Sequence, residues 1–403
     1  MINRPHFDYT EVPETRAVLS NLDFQASKLF IGIPKESDIS ENRIPLTPSS
    51  VASLTTLGHR VIIESGAGTK ANFTDLEYSE AGAEITLEKE KIFAANIILK
   101  AAPPSLFEVE LMKTNQLLIS PLHILAISKE YIELLRKKKV TAIALEWLRD
   151  EDGTFPMVRI MSELAGISAI QVAAQFLNQT NGGIGVLLGG ISGVPPAKVV
   201  ILGAGVVAEF ATRTALGLGA SVRIFDNNIY KLMRIQSRIG RQLHTSALNQ
   251  IYLKKELKEA DVVIGAIHSK TGRTPIVVTE DMVEQMKTGS IIVDVSIDQG
   301  GCFETSEMMR LEKPSFVKHG VIHYCVPNMA SNYARTSSEA MSNILTPLLF
   351  KISTSGNLYS LLYAQTGIRN GIYTYKGALT NFYLSERLGM KFTDIELLIT
   401  SSI

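Results

Sequence analysis

Short apolar runs recur along the chain, and most are followed by a segment whose apolar residues return at helical spacing. "LFIGIP" (29–34) reads as a compact strand. Thr47 then supplies a hydroxyl cap and Pro48 a first-turn proline, so a helix is expected over "PSSVASLTTL", stopping at Gly58. "RVIIES" (60–65), "ANIILKA" (95–101), "QLLIS" (116–120) and "VTAIALE" (140–146) read as further strands, with a helix over 128–138. Strands alternating with helices imply parallel βαβ units.

After the polar loop "RDEDGTF", residues 158–178 carry a long helical apolar pattern, expected to cross between two domains. The strand–helix rhythm then restarts. Strands are expected at 198–203, 221–226, 261–267, 290–296 and 321–326, with helices over 205–218, 229–239 and 279–287. Residues 336–403 begin as helix and hold no βαβ core of their own, so they are expected to return and cover the first domain. The fold class is α/β with two Rossmann-like, doubly wound domains. The expected division is 1–155 plus 336–403 for one and 156–335 for the other. Residues 1–28 are polar and read as a surface arm or helix.

A length of 403 residues agrees with two domains, and 45% hydrophobic with 20% charged residues is a globular composition. Forty basic and forty acidic residues cancel, which argues against bulk-charge binding to nucleic acid or a membrane surface. No uninterrupted apolar stretch reaches the ~20 residues of a membrane span. Residues 184–205 come nearest but carry six glycines and Pro195–Pro196. The N-terminus lacks a signal-peptide core, and two cysteines make neither a disulfide framework nor a zinc site, so a cytoplasmic protein with reduced thiols and no metal is expected.

The most informative stretch is "VVILGAGVVAEF" (199–210). Gly203 turns the strand, Gly205 allows a pyrophosphate to approach the backbone, and Ala208 stands where close helix packing needs a small residue. The helix that follows aims its N-terminal amides at the phosphates. Asp226 ends the next strand, at the distance expected of the acid that binds the ribose hydroxyls. A carboxylate there repels a 2′-phosphate and favours NAD over NADP. Lys231, five residues on, is placed to touch the adenosine or simply to be solvated. A second glycine-rich element, 185–200, suits either a loop over the cofactor or a domain hinge.

Ligands of open parallel sheets lie beyond the carboxyl ends of the strands. Arg43 in "ENRIPLTP", His123 in "PLH" and Asp298 in "SIDQGGCFE" sit at such ends. Arginine suits a carboxylate through its planar fork, histidine suits proton transfer near neutral pH, and an aspartate balances charge.

At these residues the chain resembles the alanine dehydrogenases and the soluble NAD-binding subunit of nicotinamide nucleotide transhydrogenases. The shared blocks are "IGIPKE…ENRIPLTP", "GHRVIIESGAG", "MSELAG", "LLGGISGVPPAKVVILGAGVV", "VDVSIDQGGCFETS" and "HYCVPNMA…ARTS". The resemblance implies a cleft site between the lobes and a homo-oligomer, often a hexamer. It gives Arg43 to the substrate carboxylate, His123 to acid–base work and Asp298 to the ammonia or water at the reacting carbon. Ser162, Asp226, Asn328 and Met329 fall on the NAD side. The implied reaction converts L-alanine, NAD⁺ and water to pyruvate, ammonium and NADH.

One position departs from the pattern. Where alanine dehydrogenases carry Lys-x-Lys-Glu-Pro, this chain reads "KAAPP", so Lys100 is kept and Ala102 replaces the substrate-contacting lysine. If the strand persists, the two share a face, which lets Lys100 reach inward. Besides an alanine dehydrogenase, a transhydrogenase-like NAD(H)-binding subunit and an NAD-binding regulatory protein with a degenerate pocket stay open.

Overall fold

The computed structural model describes residues 28–124, 126–269 and 272–400; the N-terminal arm expected before residue 28 lies outside them. In the first lobe β1 is Phe30–Ile33, β2 Arg60–Glu64, β3 Glu84–Thr86, β4 Ile97–Leu99, β5 Leu117–Ser120 and β6 Thr141–Ala144. In the second, β7 is Lys198–Leu202, β8 Ser221–Phe225, β9 His244–Ser246, β10 Val262–Gly265, β11 Ile291–Asp294, β12 Ser315–Lys318 and β13 Val321–Tyr324. The chain then returns to add β14, Ile372–Tyr375, and β15, Ala378–Leu379, to the first sheet.

The sheets run β15-β14-β6-β5-β4-β1-β2-β3 and β12-β13-β11-β10-β7-β8-β9. Pairing is parallel except at β6–β14, β14–β15 and β12–β13. Strand order therefore reverses between β1 and β4 in one lobe and between β7 and β10 in the other. Those two switch points are where such sheets open a crevice.

The central strands are buried along almost their whole length, as strands covered by helices on both faces must be. The helix Pro48–Thr56 starts as its sequence dictates, with Thr47 accepting the Ser50 N–H. Three strands have no apolar run to announce them: β3, β9 and β12 are edge strands with polar faces. The helix expected over 279–287 is helical only at Glu280–Val283. The C-terminal segment does more than cover the first lobe, since it extends that lobe's sheet.

The helix Pro156–Phe176 belongs to both lobes. Met157 near its start packs in the first core, while Ala169, Ile170, Val172 and Ala173 pack in the second. Gly166 lets it cross the helix Val206–Gly217 closely, because a Cβ there would stand 2.4 Å from the Val207 carbonyl oxygen. This helix, rather than residues 184–205, is long and apolar enough to cross a bilayer by length and composition. Here its two ends are shared between two protein cores.

Candidate active site

The turn after β7 is built around two glycines with different duties. Gly203 adopts φ 109°, and a Cβ on it would meet the Ala266 carbonyl oxygen at 2.4 Å. Gly205 caps the helix Val206–Gly217, and a Cβ there would meet nothing within 4 Å. Backbone space at a helix N-terminus, with a positive dipole end behind it, is what an incoming pyrophosphate needs. Ala208 is fully buried beneath the turn. Asp226 accepts the Ala204 N–H at 2.8 Å and the Asn228 N–H at 2.7 Å, so the acid at the end of β8 is tied to the glycine turn. The Lys231 ammonium stands 3.9 Å from Asp226 and is partly exposed. In the 185–200 element, Gly189 packs on Leu218, at the far end of the 206–217 helix, about 18 Å from its N-terminus at 1.5 Å per residue.

Across the cleft, the loop after β1 carries Arg43, only 6% exposed, and its partner Glu41, 1% exposed. Arg43 Nε donates to Glu41 Oε1 at 2.7 Å, Nη2 donates to Oε2, and Nη1 contacts the Met161 sulfur at 3.2 Å. Burial works against the guanidinium charge, but the Glu41 carboxylate, together with Glu36 and Asp298, offsets it and holds Arg43 above its ordinary range. Arginine has five N–H donors, so two stay available to a ligand.

Asp298 lies in the turn after β11, open to water at the cleft yet crowded by protein. That crowding raises its carboxyl above the usual aspartate range, while the Asn328 N–H and the charges of His123 and Arg43 pull the other way. The three groups therefore converge electrostatically, although they come from separate strand ends. Asn328, at φ 53°, donates its N–H to Asp298 at 3.1 Å and its side-chain amide to Glu41 at 3.0 Å. Met329 is buried in the second core, and Ser162 sits half-buried on the shared helix.

Two more carboxylates hold the loops. Glu146, just past β6, accepts the Leu122 N–H at 2.9 Å and the His123 N–H at 3.0 Å. Asp294, ending β11 and 1% exposed, accepts from Ser296 N (3.0 Å), Cys302 N (3.0 Å) and Ser306 Oγ (2.6 Å). The 295–306 turn that carries Asp298 is wrapped around this buried anion.

Two family models divide the chain. That of the alanine dehydrogenase/PNT N-terminal domain matches residues 32–165, and that of the C-terminal domain matches residues 169–382. This chain belongs to the alanine dehydrogenase/PNT family. Alanine dehydrogenase 2 of Staphylococcus aureus (strain USA300) is 39% identical over 367 residues, covering 91% of this chain and 98% of the relative. A solved L-alanine dehydrogenase superposes with a TM-score of 0.83 at 38% identity, covering 88% of this chain and 98% of that one. A transhydrogenase from Sinorhizobium meliloti follows with a TM-score of 0.74 at 25% identity, covering 87% and 99%.

Lys100, which follows β4, is already engaged. Lys100 is fully buried, with its ammonium 3.0 Å from Glu108 and 3.1 Å from Glu36. Glu36 lines a recess with Lys35, Glu41, Arg43 and Lys70, so the Lys100 charge lies directly behind that wall. Burial pushes the Glu36 carboxyl up to about 7, with Lys100 and the Ala101 N–H opposing. Ala102 is buried at 3% exposure. Sequence reasoning missed Glu36, Glu41, Glu146 and Asp294. Each is a lone acid near a strand end, which reads as a solvated turn until its buried partners are known.

Proposed function

We propose that the chain is an NAD-dependent alanine dehydrogenase, catalysing the reversible oxidative deamination of L-alanine to pyruvate and ammonium. The observation that carries this reading is the hydrogen-bonded run from Arg43 through Glu41 and Asn328 to Asp298, with His123 on the turn that Glu146 holds, together with a glycine turn that has open space at Gly205. Bound NAD supplies the hydride acceptor, and Gly203, Gly205, Ala208 and Asp226 would hold it, with Ser162, Lys231, Asn328 and Met329 on the same side. The remaining work falls to side chains of this chain.

Arg43, steadied by Glu41, uses its two uncommitted N–H groups to bind the substrate carboxylate and orient the α-carbon. His123, exposed in the cleft, moves the protons that must leave the ammonium group and the attacking water. Asp298 stabilises the positive charge that develops as the C–N bond gains double-bond character, then binds the departing ammonium. We take a cytoplasmic homo-oligomer, with a hexamer as the expected assembly, from the family resemblance alone; Cys302 and Cys325 are both free and buried.

The deciding experiment follows NADH formation with L-alanine and then with a panel of small amino acids, beside an Asp298→Asn control. Turnover that disappears in the control is the expected result. Tight NADH binding without turnover on any amino acid would instead favour the NAD-binding regulatory reading, for which Ala102 is the motivating residue.

A further inference from the structure

Four residues form one hydrogen-bonded line across the cleft. Arg43 Nε donates to Glu41 Oε1 at 2.7 Å, Asn328 Nδ2 donates to Glu41 Oε2 at 3.0 Å, and the Asn328 N–H donates to Asp298 Oδ1 at 3.1 Å. We propose that Glu41 is a positioning residue that couples the substrate anchor in the first lobe to Asp298 in the second, through Asn328. The proposal rests on the reading of Arg43 as the substrate anchor.

Glu41 spends both carboxylate oxygens on this task. Oε1 takes the Arg43 backbone N–H at 2.9 Å as well as Nε, and Oε2 is shared between the guanidinium and the Asn328 amide. Side-on pairing fixes the plane of the guanidinium, so the two free N–H groups point in one direction rather than sampling several. The same contact fixes Asn328, whose left-handed backbone directs its N–H onto Asp298.

The flanking loops reinforce the register. Asn42 N donates to Ser331 Oγ at 2.8 Å, and Ser331 Oγ donates to the Ser40 carbonyl at 2.8 Å. Lys70 closes the first-lobe side by donating to the carbonyls of Ile39 at 2.9 Å and Glu41 at 3.1 Å. The distance between the carboxylate anchor and the group at the reacting carbon is thereby set by hydrogen bonds between lobes and not by either lobe alone. A misplacement of about 1 Å at a reacting centre costs on the order of a hundredfold in rate.

Four variants test this: Glu41→Gln, Asn328→Gly, the double variant, and Arg43→Lys. Asn328→Gly removes only the side-chain arm, because glycine adopts φ 53° freely and keeps the N–H to Asp298. It also leaves the buried Arg43–Glu41 pair intact, so it decides the matter alone if Glu41→Gln does not fold. For each variant, KM for pyruvate and kcat are measured, with the NADH Kd by fluorescence titration. Glu41→Gln and Asn328→Gly are each expected to raise KM for pyruvate by about tenfold. Glu41→Gln should keep the NADH Kd within about twofold, and the titration on Asn328→Gly reads separately what that side chain gives to cofactor binding. The double variant should be no worse than the worse single, as expected of two residues acting through one line. Unchanged KM in both singles, or effects that multiply in the double, would overturn the coupling. Should Arg43→Lys leave KM unchanged, the anchor reading itself fails. Should Arg43→Lys raise KM while the other variants do not, the anchor stands and only the coupling falls.

Discussion

Glu146 holds His123 in the left-handed region of backbone space. His123 has φ 48°, and the Glu146 carboxylate accepts both its N–H and that of Leu122. A non-glycine residue at positive φ costs about 1 kcal/mol or more, so it persists where neighbours enforce it. Removing the carboxylate lets the turn relax and swings the imidazole away from the cleft. Glu146→Ala is expected to lower kcat by roughly 10- to 100-fold with the NADH Kd unchanged. Glu146→Gln, which keeps an acceptor oxygen, should lose less. Steady-state kinetics beside an NADH titration separates these outcomes, and equal losses in kcat and NADH affinity would count against the assignment.

The two glycines of the dinucleotide turn should respond oppositely to alanine. At Gly203 the added Cβ collides with the Ala266 carbonyl at 2.4 Å and the backbone is left-handed, so Gly203→Ala should lower thermal stability, by more than about 1 kcal/mol. At Gly205 the Cβ meets only open space, so the fold should stand while NADH affinity falls about tenfold or more. Melting temperature and NADH Kd, measured on both variants, distinguish them. A Gly205→Ala protein that binds NADH normally would show that the open space is not the pyrophosphate site.

Asp226 ties the end of β8 to the glycine turn through the Ala204 N–H at 2.8 Å. Replacing it by serine removes the charge that repels a 2′-phosphate and leaves Lys231 nearby without its acidic neighbour. The expected outcome is a preference for NAD over NADP reduced by about tenfold. Kinetics with both cofactors reads it directly, and an undiminished preference would move the selectivity elsewhere.

How far the sequence carried the fold depended on burial. Central strands such as β7 and β11 announce themselves as apolar runs because both faces are covered. The polar edge strands β3, β9 and β12 leave no such mark. β14 and β15 were missed for a different reason: they complete a sheet whose other members lie more than two hundred residues earlier, and no local pattern records that pairing. The site divides the same way. Asp226 and Gly205 belong to a turn whose spacing is chemical, so they could be named in advance. Glu41 stands two residues from Arg43, but its role comes from Asn328 and Ser331, nearly three hundred residues away.

Glu36 should tilt the stability profile with pH. Its carboxyl is pushed up from the ordinary 4.5 to about 7 in the folded protein, chiefly by burial. The folded state therefore binds this proton more tightly than the unfolded chain does. Its contribution to stability is full below about 4.5 and is lost as pH rises toward 7. Glu36→Gln removes the titration while Lys100 keeps Glu108 at 3.0 Å. The variant should gain melting temperature over the parent at pH 8 and much less at pH 5. A gain independent of pH would mean that Glu36 is not the titrating group.

Ala102 stands where the resemblance to alanine dehydrogenases implies a substrate-contacting lysine, and Lys100 does not take that place by reaching inward. Its ammonium is held between Glu108 and Glu36, and it meets the recess only through the Glu36 carboxylate. A ligand carboxylate in the cleft therefore meets Arg43, with Lys35 and Lys70 lining the same recess, and gains no ammonium from position 102. Restoring one with Ala102→Lys should lower KM for pyruvate, since a charge-assisted contact in a desolvated site contributes about 1.5–3 kcal/mol. The cost is steric: a long side chain replaces a methyl group at a position only 3% exposed, which calls for a melting curve alongside the kinetics. A folded Ala102→Lys protein with an unchanged KM for pyruvate would mean that the ligand never approaches this wall, leaving Arg43 and the cleft on the side of Asp298 to define the substrate.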